Sequence, residues 1–319
     1  MSGLRGLLLC AALGAIAPVV SSQAPQGDAP RPVAPQGGST QTWADQQKSQ
    51  AFATRKLDQS PRRNEWVSIS SGGRTLKAWV VYPQVKRKVP VILVLHEVFG
   101  LTDSTRNTAD EVAAMGYIAI APDMLSGYGP DGGGTSSFPT TRSAANTLDL
   151  LEDQDVYVDL NAWADYGNKL PRANGKFAIV GLTWGGGVAF RYAVTAPRKD
   201  LKAVFVFCVS GPPAYNQGLA HHSKGIHDFQ VARSGVPVYG FYGSKDLTGP
   251  PDSPVLLSLP ATQAAMAAAG NFYDPVIYDG AEHAFMRIGE DPANGNPSNA
   301  AADKASLVRL AKLLKTTLK

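Results

Sequence analysis

The spacing of apolar and polar residues predicts regular structure from about residue 61 to the end of the chain. The stretches EWVSIS (65–70) and LKAWVVYP (76–83) alternate and flank a turn, SGGRT, which predicts an antiparallel strand pair. VPVILVLH (89–96) and YIAIAPDM (117–124) are continuous apolar runs, typical of parallel strands buried on both faces. AADKASLVRLAKLLKTTL (301–318) has the period of an amphipathic helix.

The remaining segments continue this order of strands and helices. Further strands are predicted at KFAIVGL, KAVFVFCVS, VPVYGFYG and YDPVIYDG, and further helices at STRNTADEVAAMG, DVYVDLNAWADYGNKL, GGVAFRYAV and LPATQAAMAAAG. Such alternation predicts an α/β fold, a doubly wound and mostly parallel sheet with helices on both faces. We assign it to one domain, residues 61–319. Binding sites in such folds gather at the carboxyl ends of the strands.

The first 60 residues have a different texture. Residues 1–22 combine one early arginine, an uncharged apolar stretch and small residues, which predicts a signal peptide and a secreted or periplasmic protein. The alternative is a membrane anchor, but the stretch is short for a stable span. Residues 23–60 are rich in Pro, Gln, Gly and Ser and predict a flexible tether, with a short helix around TWADQQKSQAFATRKL (42–57). Cys10 would leave with the leader, so Cys208 would have no disulfide partner.

Composition narrows the class of partner. The chain is 44% hydrophobic and 18% charged, as globular proteins are. Its net charge of +4 is spread without long basic runs, which argues against nucleic-acid binding.

The stretch GLTWGGG (181–187) joins a predicted strand to a predicted helix and is typical of a nucleophile elbow. Gly181 and Gly185 would let the two elements approach closely, Thr183 would stand above the sheet, and the N–H of Trp184 would face the reacting carbonyl as an oxyanion donor. A plain glycine-rich turn is the alternative. A phosphate-binding loop fits less well, because its G-x-x-x-x-G-K-[ST] pattern is absent.

Two further residues follow predicted strands in the order that a catalytic triad of this kind requires. Asp246 lies in FYGSKD and His283 in YDGAEHAF, so the histidine would accept the nucleophile's proton and the aspartate would orient its ring. Glu97 ends the strand 91–96 and needs a partner there, for which the nucleophile is one candidate. The N–H of Val98 would be a second oxyanion donor.

These motifs together resemble the dienelactone hydrolase family of α/β-hydrolases. The resemblance rests on HEVFGLTDSTRNTADEVAAMGYIAIAPDML, GLTWGGG, YGSKD and AEHAFMR, and it covers about residues 65–318. It implies the α/β-hydrolase fold, the catalytic residues Thr183, Asp246, His283 and Glu97, and a small ester or lactone substrate. It also implies that Arg287, and with a looser match Arg142, bind a substrate carboxylate. No metal or organic cofactor is implied, and the oligomeric state stays open.

Thr183 departs from the family pattern, which has cysteine or serine at that position. A β-branched residue with positive φ is strained, and its methyl group restricts χ1. The residues leave three interpretations open: a slow threonine nucleophile, a homologue that binds a ligand without turnover, or an engineered variant of a serine or cysteine parent.

Three smaller signals receive brief interpretations. The glycine-rich stretch 127–139 is placed to border the active site, unless it is a plain surface loop. His221, His222 and His227 are interpreted as solvent-exposed side chains, because no carboxylate or cysteine cluster accompanies them. Cys208 ends a predicted strand and is interpreted as a core residue or part of the pocket floor.

Overall fold

A computed structural model of the chain describes residues 50–195, 197–211, 231–246, 254–293 and 295–319. The eight strands of this part form one sheet in the order β1-β2-β4-β3-β5-β6-β7-β8. The strands are β1 Asn64–Ser71, β2 Arg74–Val81, β3 Val89–Leu95, β4 Ile118–Asp123, β5 Ala173–Leu182, β6 Leu201–Phe207, β7 Val238–Lys245 and β8 Tyr273–Glu282.

The first strands of the sheet pair in antiparallel and the rest in parallel. β1 pairs with β2 and β2 with β4 in antiparallel, while the pairs from β4 through β3 to β8 are parallel. The predicted doubly wound, mostly parallel sheet is therefore confirmed.

Helices lie on both faces of this sheet. They are α1 Ala51–Asp58, α2 Asp103–Ala114, α3 Thr141–Leu148, α4 Asp153–Lys169, α5 Trp184–Thr195, α6 Pro254–Ala268, α7 Phe285–Ile288 and α8 Pro297–Thr317. Every residue of β3 is buried, and alternate residues face opposite sides. Val91 and Leu93 share a core cluster with Trp163 of α4, whereas Ile92 and Val94 share another with Leu310 of α8.

The end of the predicted tether packs against the domain. The predicted short helix is found as α1, where the Thr54 hydroxyl donates to Asp103 of α2 at 2.6 Å and Lys56 Nζ donates to Glu111 at 2.7 Å. Residues up to 49, which include the predicted signal peptide and most of the tether, lie outside the described residues.

The structure contains elements that the sequence pattern did not predict. Helix α3 is one, and it begins with a capping box in which Thr140 and Ser143 satisfy each other's backbone N–H groups. Helix α6, predicted to begin at Leu259, begins earlier, at Pro254. None of the helices in the described ranges is long and apolar enough to span a bilayer.

Candidate active site

The turn between β5 and α5 holds Thr183 in left-handed backbone geometry, as predicted for a nucleophile elbow. Its φ is 42°, and its N–H donates to the carbonyl of Phe207 at the end of the neighbouring strand β6, at 2.9 Å. Its own carbonyl accepts from the N–H of Gly187 at 3.0 Å, which starts the helix. The elbow is thus fixed to both flanking elements, and a β-branched residue sits where glycine is favoured.

The glycines around this turn are required by close contact. A Cβ atom on Gly181 would lie 2.4 Å from the carbonyl oxygen of Gly185, and one on Gly185 would lie 2.6 Å from the Cβ of Leu95. Strand, turn and the neighbouring strand β3 therefore approach too closely for any side chain. This confirms the role predicted for both glycines.

Asp246 and His283 form a hydrogen-bonded pair at the ends of β7 and β8. Nδ1 of His283 lies 3.0 Å from Oδ2 and 3.1 Å from Oδ1 of Asp246. The Asp246 side chain is fully buried, whereas that of His283 is 27% exposed. A buried carboxylate on Nδ1 fixes the ring orientation and directs Nε2 to any proton transfer.

Cys208 lies against this pair. Its sulfur, an oxygen of the Asp246 carboxylate and a ring nitrogen of His283 all lie within 4.8 Å of one another. Burial, with the negative charge of Asp246, raises the pKa of the Cys208 thiol. Cys208 follows Phe207, the residue whose carbonyl anchors Thr183, so the elbow and the histidine pair are neighbours at the same sheet edge.

The backbone around the site is strained at several points. Four non-glycine residues in the described ranges have a positive φ, and three of them are Thr183, Cys208 and Ala284, at 42°, 51° and 57°. Each follows the end of a strand or precedes a short helix at this edge of the sheet. Such strain costs about 1–3 kcal/mol per residue and concentrates at functional sites.

The hydroxyl of Thr183 is turned away from solvent. Its Oγ1 is buried and has no hydrogen-bond partner in the part of the chain that is described, although the residue as a whole is only half-buried. The surface that Thr183 exposes therefore belongs to its other atoms. Attack on a substrate would require rotation about χ1.

Glu97 is paired with Arg287. The carboxylate is nearly buried after the end of β3 and accepts from Nε of Arg287 at 3.0 Å. The guanidinium also lies over the ring of Phe99, at 5.4 Å from its centroid. The partner that the sequence analysis sought for a buried carboxylate is thus this arginine, and the two predicted site residues lie together.

One predicted oxyanion donor lies in a turn beside Glu97. Gly100 donates its N–H to the Glu97 carbonyl at 3.2 Å and so closes a turn over Val98. The N–H of Val98 donates no hydrogen bond to another described residue, so it is suited to a substrate oxygen. Trp184, the other predicted donor, is the first residue of α5.

His96 fixes this turn from behind. Nδ1 contacts the Glu97 carbonyl at 2.8 Å, Nε2 accepts from the N–H of Met124 at 3.2 Å, and the ring stacks on Trp184 at 5.3 Å. Complete burial lowers the pKa of His96, so the ring stays neutral, with the Nδ1 hydrogen on the carbonyl. His96 could not be singled out from the sequence, because nothing local distinguishes a structural from a catalytic histidine.

The glycine-rich stretch 127–139 borders the Glu97 turn, as predicted. Thr135 accepts from the N–H of Leu101 at 3.0 Å and donates its own N–H to Asp123 at 2.8 Å. Arg142 lies half-buried in the first turn of α3, just beyond this stretch. The predicted exposure of His221, His222 and His227 concerns a segment outside the described residues.

Comparison with known proteins gives a consistent result. The model of the dienelactone hydrolase family matches residues 76–318. A Yersinia pestis protein, assigned by inference as a carboxymethylenebutenolidase, is 28% identical over 222 residues, which cover 68% of this chain and 77% of that protein.

Solved structures share the fold. A Klebsiella pneumoniae protein, assigned by inference as a dienelactone hydrolase, superposes with a TM-score of 0.62 at 23% identity, over 77% of this chain and 97% of that one. An esterase of Pyrobaculum calidifontis gives a TM-score of 0.60 at 14% identity, over 86% of this chain and 91% of the esterase.

Proposed function

The chain belongs to the dienelactone hydrolase family, and on that premise we propose that it hydrolyses a small carboxylic ester or lactone through an acyl-enzyme on Thr183. The observation that carries the proposal is the pair His283–Asp246, joined at 3.0 Å beside the strand that anchors the elbow. A histidine oriented in this way is what a hydroxyl nucleophile needs, because the hydroxyl is a weak nucleophile until a base removes its proton.

The proposed reaction uses these residues in sequence. Thr183 rotates about χ1, and its Oγ1 attacks the substrate carbonyl while Nε2 of His283 takes the hydroxyl proton. The imidazolium, stabilised by Asp246, then gives that proton to the leaving alkoxide. The acyl group stays bonded to Oγ1 of Thr183 as an ester. Water, deprotonated by the same nitrogen, attacks the acyl carbon and releases the acid and the threonine hydroxyl.

Two backbone N–H groups are proposed to stabilise the negative oxygen of each tetrahedral intermediate. That of Val98 lies in a turn that His96 and Gly100 hold in place. That of Trp184 begins helix α5, where the helix dipole also favours a negative charge. Removing a single donor of this kind typically costs a factor of about 100 to 1000 in kcat.

Arg287 supports a preference for anionic substrates. Its side chain is 27% exposed and pairs with Glu97 at 3.0 Å, so a substrate carboxylate would compete with Glu97 for the guanidinium. Glu97 would then be released towards Thr183. Arg142 remains the second candidate for binding the anion.

We propose that the leader predicted at residues 1–22 exports the protein. We also propose that the mature protein acts on a small molecule, binds no nucleic acid, has no stable membrane span and uses no cofactor. The premise for export is the sequence pattern alone. Mass spectrometry of the secreted or periplasmic protein would test it, because cleavage near Ser22 must give a chain without Cys10.

Turnover of p-nitrophenyl acetate and of a dienelactone tests the activity. The unmodified chain should hydrolyse at least one of them, and Thr183→Ala should lose that activity. Binding without turnover in both proteins would favour the alternative of a non-catalytic homologue, and equal turnover in both would exclude Thr183 as the nucleophile.

A further inference from the structure

We propose that Cys208, His283 and Asp246 form a binding site for Zn²⁺ that inhibits the hydrolase by occupying its catalytic base. The inference rests on the proposed function for its inhibitory effect only, since metal binding is measurable without turnover. The site would regulate the enzyme, and the reaction itself would not require the metal.

The geometry fits a small metal ion. The three potential ligand atoms lie within 4.8 Å of one another, and tetrahedral Zn²⁺ separates its nitrogen, oxygen and sulfur ligands by about 3.3–3.6 Å. The Asp246–His283 contact, at 3.0 Å, is already that short. Only the separations between the sulfur and the other two ligand atoms need to shorten, by about 1 Å, to match those around tetrahedral zinc.

The ligand chemistry selects zinc over the hard cations. A thiolate and an imidazole bind Zn²⁺, Cd²⁺ and Co²⁺ well, whereas Mg²⁺ and Ca²⁺ require oxygen ligands. The complex of Zn²⁺ with one thiolate, one carboxylate and one neutral imidazole has no net charge. That balance suits a site where Asp246 and Cys208 are almost completely buried.

The surroundings of the sulfur support a ligand role. Backbone N–H groups of Ala284 and Phe285 interact with the Cys208 sulfur, which is the kind of outer contact that metal-bound thiolates receive. Cys208 also has a φ of 51° and Ala284 one of 57°. The proposed reaction gives no reason for strain at either residue, whereas a requirement to direct the sulfur towards His283 does.

Binding follows a defined proton balance and has a defined consequence. Zn²⁺ displaces the thiol proton of Cys208, which leaves to solvent, and takes the place of the Nδ1 proton of His283, which moves by exchange with solvent to Nε2. The neutral ring then carries its single proton on Nε2, so that this nitrogen cannot accept the proton of Thr183. The ion enters beside the exposed edge of His283, the least buried of the three side chains, and a water completes the fourth position.

Titration of the full chain with Co²⁺ tests the site directly, because a cobalt–thiolate bond gives a near-ultraviolet charge-transfer band. The chain has two cysteines, Cys10 and Cys208, which provides a matched pair of variants. The band should form in the unmodified chain and in Cys10→Ser, and it should be missing in Cys208→Ser and in His283→Gln. Loss of the band in Cys10→Ser, or its survival in Cys208→Ser, would overturn the proposal.

Inhibition gives the second readout. Zn²⁺ should abolish p-nitrophenyl acetate turnover in the unmodified chain, and Cys208→Ser should need at least about tenfold more Zn²⁺ for the same fractional loss of its own metal-free rate. Mg²⁺ should have no effect on either. Equal zinc sensitivity in the two proteins would refute the site even if both are active, and a chain without turnover would still show the cobalt band if only the proposed function fails.

Discussion

The two halves of the proposed active site, the pair His283–Asp246 and the elbow residue Thr183, are held in different ways. The pair is already joined by a hydrogen bond of 3.0 Å, and the carboxylate is fully buried behind the ring. Thr183, by contrast, has a strained backbone and a buried hydroxyl that forms no hydrogen bond within the described residues. The base is assembled before substrate arrives, and the nucleophile is not.

The difference shows where the barrier to turnover should lie. A preorganised base needs no rearrangement during the reaction, whereas Thr183 must rotate about χ1 inside a tight turn. Its methyl group opposes that rotation, and serine would lack this obstacle. The presence of threonine at the elbow should therefore lower the rate of nucleophilic attack and leave the arrangement of His283 and Asp246 unchanged.

The largest expected effect comes from breaking the assembled half. In Asp246→Asn the ring of His283 would lose its orientation and correct tautomer, so kcat/KM should fall by about 10⁴, and His283→Ala should fall at least as far. Steady-state kinetics with p-nitrophenyl acetate measures both. Retention of more than a tenth of the activity in either variant would contradict the assignment of the base.

Improving the other half should have the opposite effect. Thr183→Ser removes only the methyl group, and for crowding of about 1–3 kcal/mol the rate of acylation should rise by roughly 5- to 160-fold. Burst-phase kinetics measures that step alone. Thr183→Ala is the matched control, since it removes the hydroxyl as well and should show no burst; a serine variant slower than threonine would show that the methyl group is not the obstacle.

Substitution of Arg287 tests whether the site binds a negatively charged substrate in preference to a neutral one. Arg287→Ala should lower kcat/KM for a lactone bearing a carboxylate by about tenfold or more, because a charge-assisted hydrogen bond contributes about 1.5–3 kcal/mol. For a neutral ester of similar size the loss should be several times smaller. Equal losses on the two substrates would remove the proposed anion-binding role.

The strain at Thr183 should be visible in stability. Thr183→Gly relieves left-handed backbone strain and should raise the free energy of unfolding by about 1 kcal/mol relative to Thr183→Ala, which keeps the Cβ atom. Urea denaturation of the two inactive variants measures the difference. An alanine variant as stable as glycine would show that the elbow conformation costs little here.

A cluster of buried carboxylates that the proposed reaction does not use separates loss of activity from unfolding. Burial and the neighbouring charge of Glu111 raise the pKa of Glu290 from 4.5 to about 9, and burial raises that of Asp303 to about 7. At a pH above the ordinary pKa of a carboxyl group, these two side chains keep their protons in the folded state, whereas the unfolded chain has released them. Their contribution to stability is therefore lost as the pH rises to about 9.

The residues proposed to carry the activity lie outside this cluster, so activity and stability should respond differently to a substitution in it. Glu290→Gln should raise the Tm at pH 9 by a few degrees and leave the activity profile in place. Thermal melts and kinetics over pH 5 to 9 measure both trends. A change in kcat/KM that accompanies the change in Tm would contradict this separation of activity from stability.

Most of the sheet and the relative order of the site residues were predictable from the sequence. The strand β3 is a continuous apolar run and β5 ends in one, so their burial follows from composition. Asp246 and His283 directly follow β7 and β8, as their positions after predicted strands indicated. Helix α3 was missed, since its eight residues contain few apolar positions and its signal is the local capping by Thr140 and Ser143.

Contacts between residues far apart in the sequence could not be predicted in the same way. The sequence placed Glu97 and Arg287 at the site separately, yet their ion pair joins residues 190 positions apart in the chain, the turn after β3 and the helix α7. Cys208 was interpreted as a core residue, and it is buried as expected. Its approach to His283 depends on a positive φ that no local signal for a cysteine announces.

Covalent trapping tests the central claim, that Thr183 carries the acyl group, most directly. The protein would be treated with a small fluorophosphonate, digested and examined by mass spectrometry, beside His283→Ala. We predict one adduct on the peptide containing Thr183, formed at least about a hundredfold more slowly in the variant that lacks the base. An adduct on another residue, or no adduct in a protein that hydrolyses p-nitrophenyl acetate, would contradict the assignment.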